Sequence, residues 1–399
     1  MTVPGTPFQG KPATSLSTIP TMTADARSSL LAGLQAHPHA RAVLLPALPP
    51  EGRASHAYLF HGPPGTGKRS AARAFAAVLL ADGAPDPERV VGRVARGAHP
   101  DLTWVTPSGA AETLVSDIDE AVVAAATRTP FEASRRVFVI ERADTLNDQA
   151  ANRMLKTLEE PAAFVHLILI ADRPQDLLAT IASRCQPVRF DPLPSERIAE
   201  RLREDGVGEE EAQACARLAL GDARLARELA ASQGRALRGA AERLVRGAFA
   251  GEAAARPWGD LLDAARAAGE RSEADVAERV AGELELLPAK ERRRHERDAE
   301  DARRRAGRRA RTATLDLGLR LAGLWLRDAA CLADGVPELI HAVDRGPELR
   351  GDASGRPRAR LLGALDLVED TRRRLALNVS EELAMEALVY RLEDGLAAA

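Results

Sequence analysis

The amino-acid sequence predicts an α/β fold, a parallel sheet with flanking helices, followed by a small helical unit and a larger all-α region. Three observations predict it. Between residues 24 and 190, short apolar runs alternate with stretches of helical period, as parallel strands joined by crossover helices require. The runs are continuously apolar rather than alternating, which fits strands buried on both faces. Beyond residues 191–194 the strand pattern stops, and a composition rich in Ala, Leu and Arg, with only 3% aromatic residues in the chain, favours helix.

The elements follow in order. Residues 1–23 are rich in Pro, Thr, Ser and Gly and predict a disordered extension. In the α/β domain, 24–190, "AYLF" (57–60) is the first strand, and "KRSAARAFAAVLLAD" behind its glycine loop reads as a helix. "DLTWV" (101–105), "RVFVIE" (136–141), "HLILIA" (166–171) and "PVRF" (187–190) are the further strands. "DIDEAVVAAATR" and "DQAANRMLKTLEE" are helices between them, the second stopped by Pro161. "SERIAERLREDG", "GEEEAQACARLALG" and "DARLARELAAS" make a small helical unit, 191–234, and 235–399 is helical throughout, with loops at "GDASGRPRA" and around Pro288. Its segment 289–311 is dense in charge and locally basic. Interleaved acids and the absence of aromatics favour a solvated helix with i,i+4 pairs over a DNA-facing arm.

Composition narrows the function classes. A net charge of -3 exerts no global pull on nucleic acid, so any such contact needs a local patch. Cys185, Cys215 and Cys331 are widely separated and form no CxxC pair, which predicts reduced thiols, a cytoplasmic setting and no structural zinc. No apolar run is long enough to span a membrane as a helix.

Chemistry concentrates at "HGPPGTGKRS". Gly62-Pro63-Pro64-Gly65-Thr66-Gly67-Lys68 meets the phosphate-loop pattern between a strand and a helix. There, glycines let backbone N–H groups turn around phosphate oxygens, the helix N-terminus adds positive potential, and Lys68 reaches the β/γ-phosphates. Arg69, however, stands where a hydroxyl would hold Mg²⁺, and a guanidinium has no lone pair to offer. Ser70 is one residue on, rotated by about 100°. The strand that should end in an Asp-Glu pair ends instead in Glu141 and Arg142, and Arg142 cannot polarise a water. Asp144 reads as a cap or turn residue. Lys68 favours ATP binding, Arg69 disfavours magnesium, and hydrolysis by the chain alone is not expected.

"AANRMLKTLEEP" (150–161) and "TIASRCQPVRF" (180–190), with "SHAYLFHGPPGTGK" (55–68), "AHPDL" (98–102) and "LNVSEELAMEALV" (377–389), resemble the clamp-loader branch of the AAA+ ATPases, and within it the bacterial DNA polymerase III delta-prime family. The likeness is dense from residue 55 to 190 and thin in the charged segment. It implies an AAA+ P-loop domain, a helical lid (191–234) and a helical collar (235–399) that packs with other subunits. It implies partnership with gamma/tau motor subunits and a delta subunit, and through the assembly with the sliding clamp and primer-template DNA. It makes Arg184, in the Ser-Arg-Cys motif, an arginine finger on a neighbour's ATP, a role that suits a planar, permanently charged fork. It makes Arg224 a candidate second sensor, although the polar face of a helix explains Arg224 equally well. Family members carrying a cysteine-bound zinc place it in the stretch matching 79–101, which here has no cysteine. The first-sensor position offers Ala171 or Asp172 instead of a hydroxyl or amide. A non-hydrolysing delta-prime-type scaffold is the expectation; an ATP-hydrolysing gamma/tau-type motor is the alternative.

Overall fold

The computed structural model describes residues 31–49, 52–107, 118–286, 289–375, 377 and 379–396; the extension 1–23 lies outside them. The chain divides into two compact units. One takes the chain up to His61 and Lys68–Phe190, and the other takes Gly62–Gly67 and everything from Asp191 onward.

The first unit is built on five parallel strands: β1 (Ala57–His61), β2 (Leu102–Val105), β3 (Arg136–Ile140), β4 (Val165–Ala171) and β5 (Gln186–Arg189), in the order β2-β3-β4-β1-β5. Each expected strand is present. Leu59 stands in register with Leu169 on one side and Pro187 on the other. Pro187 is tolerated because β5 is an edge strand, where one ladder donor can be missing. Every residue of β4 is buried, which is why that run is apolar without alternation.

The strand residues divide between two cores. Tyr58, Phe60, Val137, Val139, Ile168 and Ile170 pack with helices α1 (Pro38–Leu44) and α2 (Lys68–Ala81), where Phe75 meets Tyr58 edge-on at 5.1 Å. Leu59, Phe138, Ile140, Leu167 and Leu169 pack on the other face with α4 (Asp148–Glu159) and α5 (Ala179–Ala182). Between them in sequence, α3 (Pro87–Ala95) starts with Pro87 and is capped by Asp86, which accepts the Arg89 N–H at 3.0 Å. Asn147 caps α4 by accepting the Ala150 N–H at 2.9 Å. The predicted helix "DIDEAVVAAATR" is helical over residues 118–126, with a π-helical turn at Asp119–Ala124, and ends in a turn at Thr127. Burial alone would raise the Asp101 carboxyl, but the N–H groups of Phe131, Glu132 and Ala133 hold it below its ordinary pKa and fix the loop before β3.

The second unit is helical: α6 (Ser195–Glu204), α7 (Glu209–Leu218), α8 (Ala223–Ala230), α9 (Ser232–Ala250), α10 (Gly259–Leu286), α11 (Ala289–Ala333), α12 (Gly346–Ala353), α13 (Arg358–Leu375) and α14 (Glu381–Leu396). One apolar core runs from Ile198 to Leu396, with Trp258 and Trp325 among its largest members. Gly234 lies in the first turn of α9. Asp328, fully buried in α11, accepts the backbone N–H groups of His341 and Ala342 at 2.7 and 2.9 Å, so its desolvation is offset by donors that also pin the loop before α12.

Candidate functional site

In a parallel sheet the reactive crevice lies outside the carboxyl ends of the strands. The phosphate-loop sequence follows β1, Glu141 follows β3, and Asp172 follows β4. Within the α/β unit, this edge brings together two cations of α2 and two carboxylates. Lys68 is only 4% exposed, and its Nζ lies 2.8 Å from Asp172 Oδ1. Arg69 Nε lies 2.8 Å from Glu141 Oε1, and the same oxygen accepts a hydrogen bond from the indole N–H of Trp104. Arg73 stacks over the Trp104 ring at 4.8 Å. Ser70 is exposed on α2.

Arg142 takes a left-handed backbone conformation with φ 50°, a turn carrying an exposed side chain. Its carbonyl accepts both the backbone N–H and the hydroxyl of Thr145, each at 2.8 Å. Asp144 sits in that turn and accepts the Arg173 N–H at 3.2 Å, the turn role that its sequence position predicts.

In the helical unit, Gly62, Gly65 and Gly67 all have positive φ, as a loop whose N–H groups curl inward requires. Thr66 is fully buried, and its hydroxyl donates to the Pro63 carbonyl at 3.0 Å. A Cβ on Gly65 would lie 1.7 Å from Asp222 Oδ1, so glycine is needed for space as well as for its φ of 72°. Asp222, itself buried, caps α8 by accepting the Leu225 N–H at 2.8 Å. Arg224, in the first turn of α8, donates to Glu228 at 2.7 Å and is 70% exposed. An i,i+4 pair of this kind is what the polar face of a helix would show.

Arg184 lies just beyond α5. Its Nη1 donates to the Thr180 carbonyl at 2.8 Å and its Nη2 to Glu159 Oε1 at 2.6 Å, with the side chain 37% exposed.

These residues do not fit a magnesium–nucleotide complex. The metal-holding position carries a guanidinium, and that guanidinium engages Glu141, the nearest carboxylate that could organise a metal. No group of three or more His, Cys, Asp and Glu able to hold a metal occurs among the described residues. A phosphate approaching Lys68 would have to displace Asp172. Sequence reasoning placed Lys68, Arg69, Glu141 and Arg142 at the site but missed Asp172 as a counter-ion, Trp104 as a donor and Asp222 against the loop. The first had a usable signal: a lysine buried at a helix start needs an opposite charge.

No helix among the described residues is long and apolar enough to cross a membrane. Residues 38–194 match a family model described as DNA polymerase III, delta subunit. The DNA polymerase III subunit delta' of Bacillus subtilis is 39% identical over 159 residues, covering 39% of this chain and 48% of that relative. The subunit delta' of Pseudomonas aeruginosa is 39% identical over 136 residues, 33% of this chain and 42% of that one. The subunit tau of Bacillus subtilis is 35% identical over 156 residues, 37% and 27% respectively. The chain thus spans about half or less of the length of each curated relative. Among solved structures, a DNA polymerase III gamma subunit-related protein of Thermotoga maritima aligns over 86% of this chain and 95% of its own, with 16% identity and a TM-score of 0.44. Residues 38–194 are therefore similar to the corresponding part of DNA polymerase III delta' subunits, the family that the sequence motifs resemble.

Proposed function

We propose that this chain is the delta-prime-type member of a DNA polymerase III clamp loader, a scaffold that does not hydrolyse ATP and lends Arg184 to a neighbouring motor subunit. One observation carries the reading: the first two cations of α2 are neutralised from within, Lys68 by Asp172 and Arg69 by Glu141. A motor would keep Lys68 for phosphate and Glu141 for metal. Arg184 sits on a part-exposed turn, and its acidic partner Glu159 is 48% exposed, so exchanging that carboxylate for a neighbour's phosphate costs little desolvation. In this reading 24–190 is the AAA+ domain, 191–234 the lid and 235–399 the collar. The partners are gamma/tau motor subunits and a delta subunit in the cytoplasm, acting on sliding clamp and primer-template DNA.

The test is to mix the full chain with motor subunits, delta subunit, clamp and primer-template DNA, and to compare ATP turnover for wild type, Arg184→Ala and Lys68→Ala. An arginine finger contributes about 10³–10⁵ in rate at the site it serves, so Arg184→Ala should lower turnover by at least about tenfold at that site. Lys68→Ala should leave turnover near wild type. Unchanged turnover with Arg184→Ala sinks the finger. The alternative, a gamma/tau-type motor, is favoured by the complete Gly62-to-Lys68 pattern and the 35% identity to a tau subunit. Turnover by the purified chain that disappears in Lys68→Ala would establish it.

A further inference from the structure

Helices α10, 28 residues long, and α11, 45 residues long, form an antiparallel pair whose far part lies outside the main core of the helical unit. The near part is anchored by Leu261, Leu262 and Ala265 on α10 and by Leu315, Leu319 and Trp325 on α11. Further out, the helices touch at two glycines. A Cβ on Gly269 would lie 2.6 Å from Arg311 Cγ, and one on Gly307 would lie 2.3 Å from Glu273 Oε1. From Gly307 back to Ala289, helix continues for about 27 Å at 1.5 Å per residue. Over 299–311 the single buried apolar side chain is Ala306.

Charge is distributed unequally over this arm. Helix α10 carries eight carboxylates against three arginines, whereas 289–311 carries eleven Lys and Arg against five Asp and Glu. Attraction between the helices accounts for part of this, as Arg303 lies 3.4 Å from Glu273. It does not account for the outer face. Ala306, Gly307 and Arg303 face α10, which turns Arg304, Arg305 and Arg308 to the opposite side of α11, where all three are exposed. Two carboxylates border this face: Glu300, shared between Arg303 and Arg304 at 2.9 Å, and exposed Asp301, so three arginines stand there against one unshared acid.

We propose that this outer face of α11 binds the phosphate backbone of double-stranded nucleic acid. The sequence pattern alone favours a solvated helix; the exposure of Arg304, Arg305 and Arg308 on the side away from α10 reverses that expectation. The cations are almost all arginine, whose planar fork spans two phosphate oxygens. The segment 289–311 holds no aromatic and no apolar residue larger than alanine, so it lacks the anchors of a protein interface. It also lacks the stacking platforms that single strands need. Phosphate contacts require neither. The inference is independent of the reading given for the phosphate loop.

The test is fluorescence anisotropy of the full chain with a labelled duplex of about 20 base pairs, titrated between about 50 and 200 mM salt. Engaging about three phosphates should make log affinity fall against log salt with a slope near −3. The triple variant Arg304→Ala, Arg305→Ala, Arg308→Ala should bind at least about tenfold more weakly at low salt and lose most of that slope, whatever the duplex sequence. The corresponding triple lysine variant should keep the slope and serves as the folding control. Undiminished binding by the triple alanine variant overturns the proposal, as does the absence of salt-dependent binding by wild type. Poly-glutamate displacing the duplex at equal charge concentration also overturns it, in favour of an acidic protein partner.

Discussion

Lys68 shows most directly how single residues set what this loop can do. Burying an ammonium to 4% exposure is costly without an opposite charge, and Asp172 at 2.8 Å supplies one. Because Asp172 is itself 40% exposed, the pair is partly screened, and Asp172→Asn should cost about 1–2 kcal/mol. The same change removes the carboxylate that competes with phosphate. In EDTA, ATP should therefore raise the melting temperature of Asp172→Asn clearly more than that of wild type. Equal shifts would show that Asp172 does not guard the loop. The cysteines give a second prediction. Burial pushes the Cys185 thiol up to about 12 and Cys215 up to about 11, whereas Cys331 is only half-buried. At pH 8 a thiol reagent should modify Cys331 first in the native protein, and all three residues only after unfolding. Early loss of the Cys185 signal in peptide mapping would contradict this.

Among the elements, strands and helices could be read from the sequence, but the pairings between them could not. β4 was recognisable from the apolar run "HLILIA", and α4 from its helical period and the Pro161 stop. The contact between Lys68 and Asp172 was not, because it depends on β4 lying beside β1 rather than beside its sequence neighbour β5. In sequence Trp104 reads only as a strand residue, yet β2 beside β3 puts its indole on Glu141. Helix α11 runs as one element through both the charged segment and the core, since helical propensity persists while the apolar face begins only near Leu315. β4 also carries a pH-sensitive group. Burial lowers His166 to about 4, although its ring contacts the Ser55 carbonyl, and it stacks on His56 at 5.7 Å. An unfolded histidine takes its proton near pH 6.5, so between these values the unfolded chain binds more protons than the folded one. Stability is full above about pH 6.5 and is lost as pH falls towards 4, by about 3 kcal/mol from this group. Urea unfolding of wild type and His166→Asn at pH 7 and pH 4.5 measures it: the variant should lose less stability across that interval, and parallel losses would exclude His166 as the cause.

At the scale of the whole molecule, the chain crosses between its two units at residues 61–62, 67–68 and 190–191, so the phosphate loop follows a strand of one unit yet packs with the other. Within that unit Gly65 packs against the Asp222 carboxylate, which also starts α8. A nucleotide-cradling loop would present its N–H groups to phosphate, whereas here a carboxylate already occupies one face of Gly65. The Gly65–Asp222 approach thus ties the loop to the start of α8 within the helical unit. Gly65→Ala separates this role from the sheet. The added Cβ would collide with Asp222 at a φ of 72°, which alanine tolerates poorly, so the helical unit should lose more than about 2 kcal/mol. Hydrogen exchange should quicken at residues 62–67 and in the first turn of α8, while protection of β3 and β4 stays at the wild-type level. If the sheet amides lose protection to the same extent, the loop belongs energetically to the α/β unit, and its internal carboxylate contact is incidental.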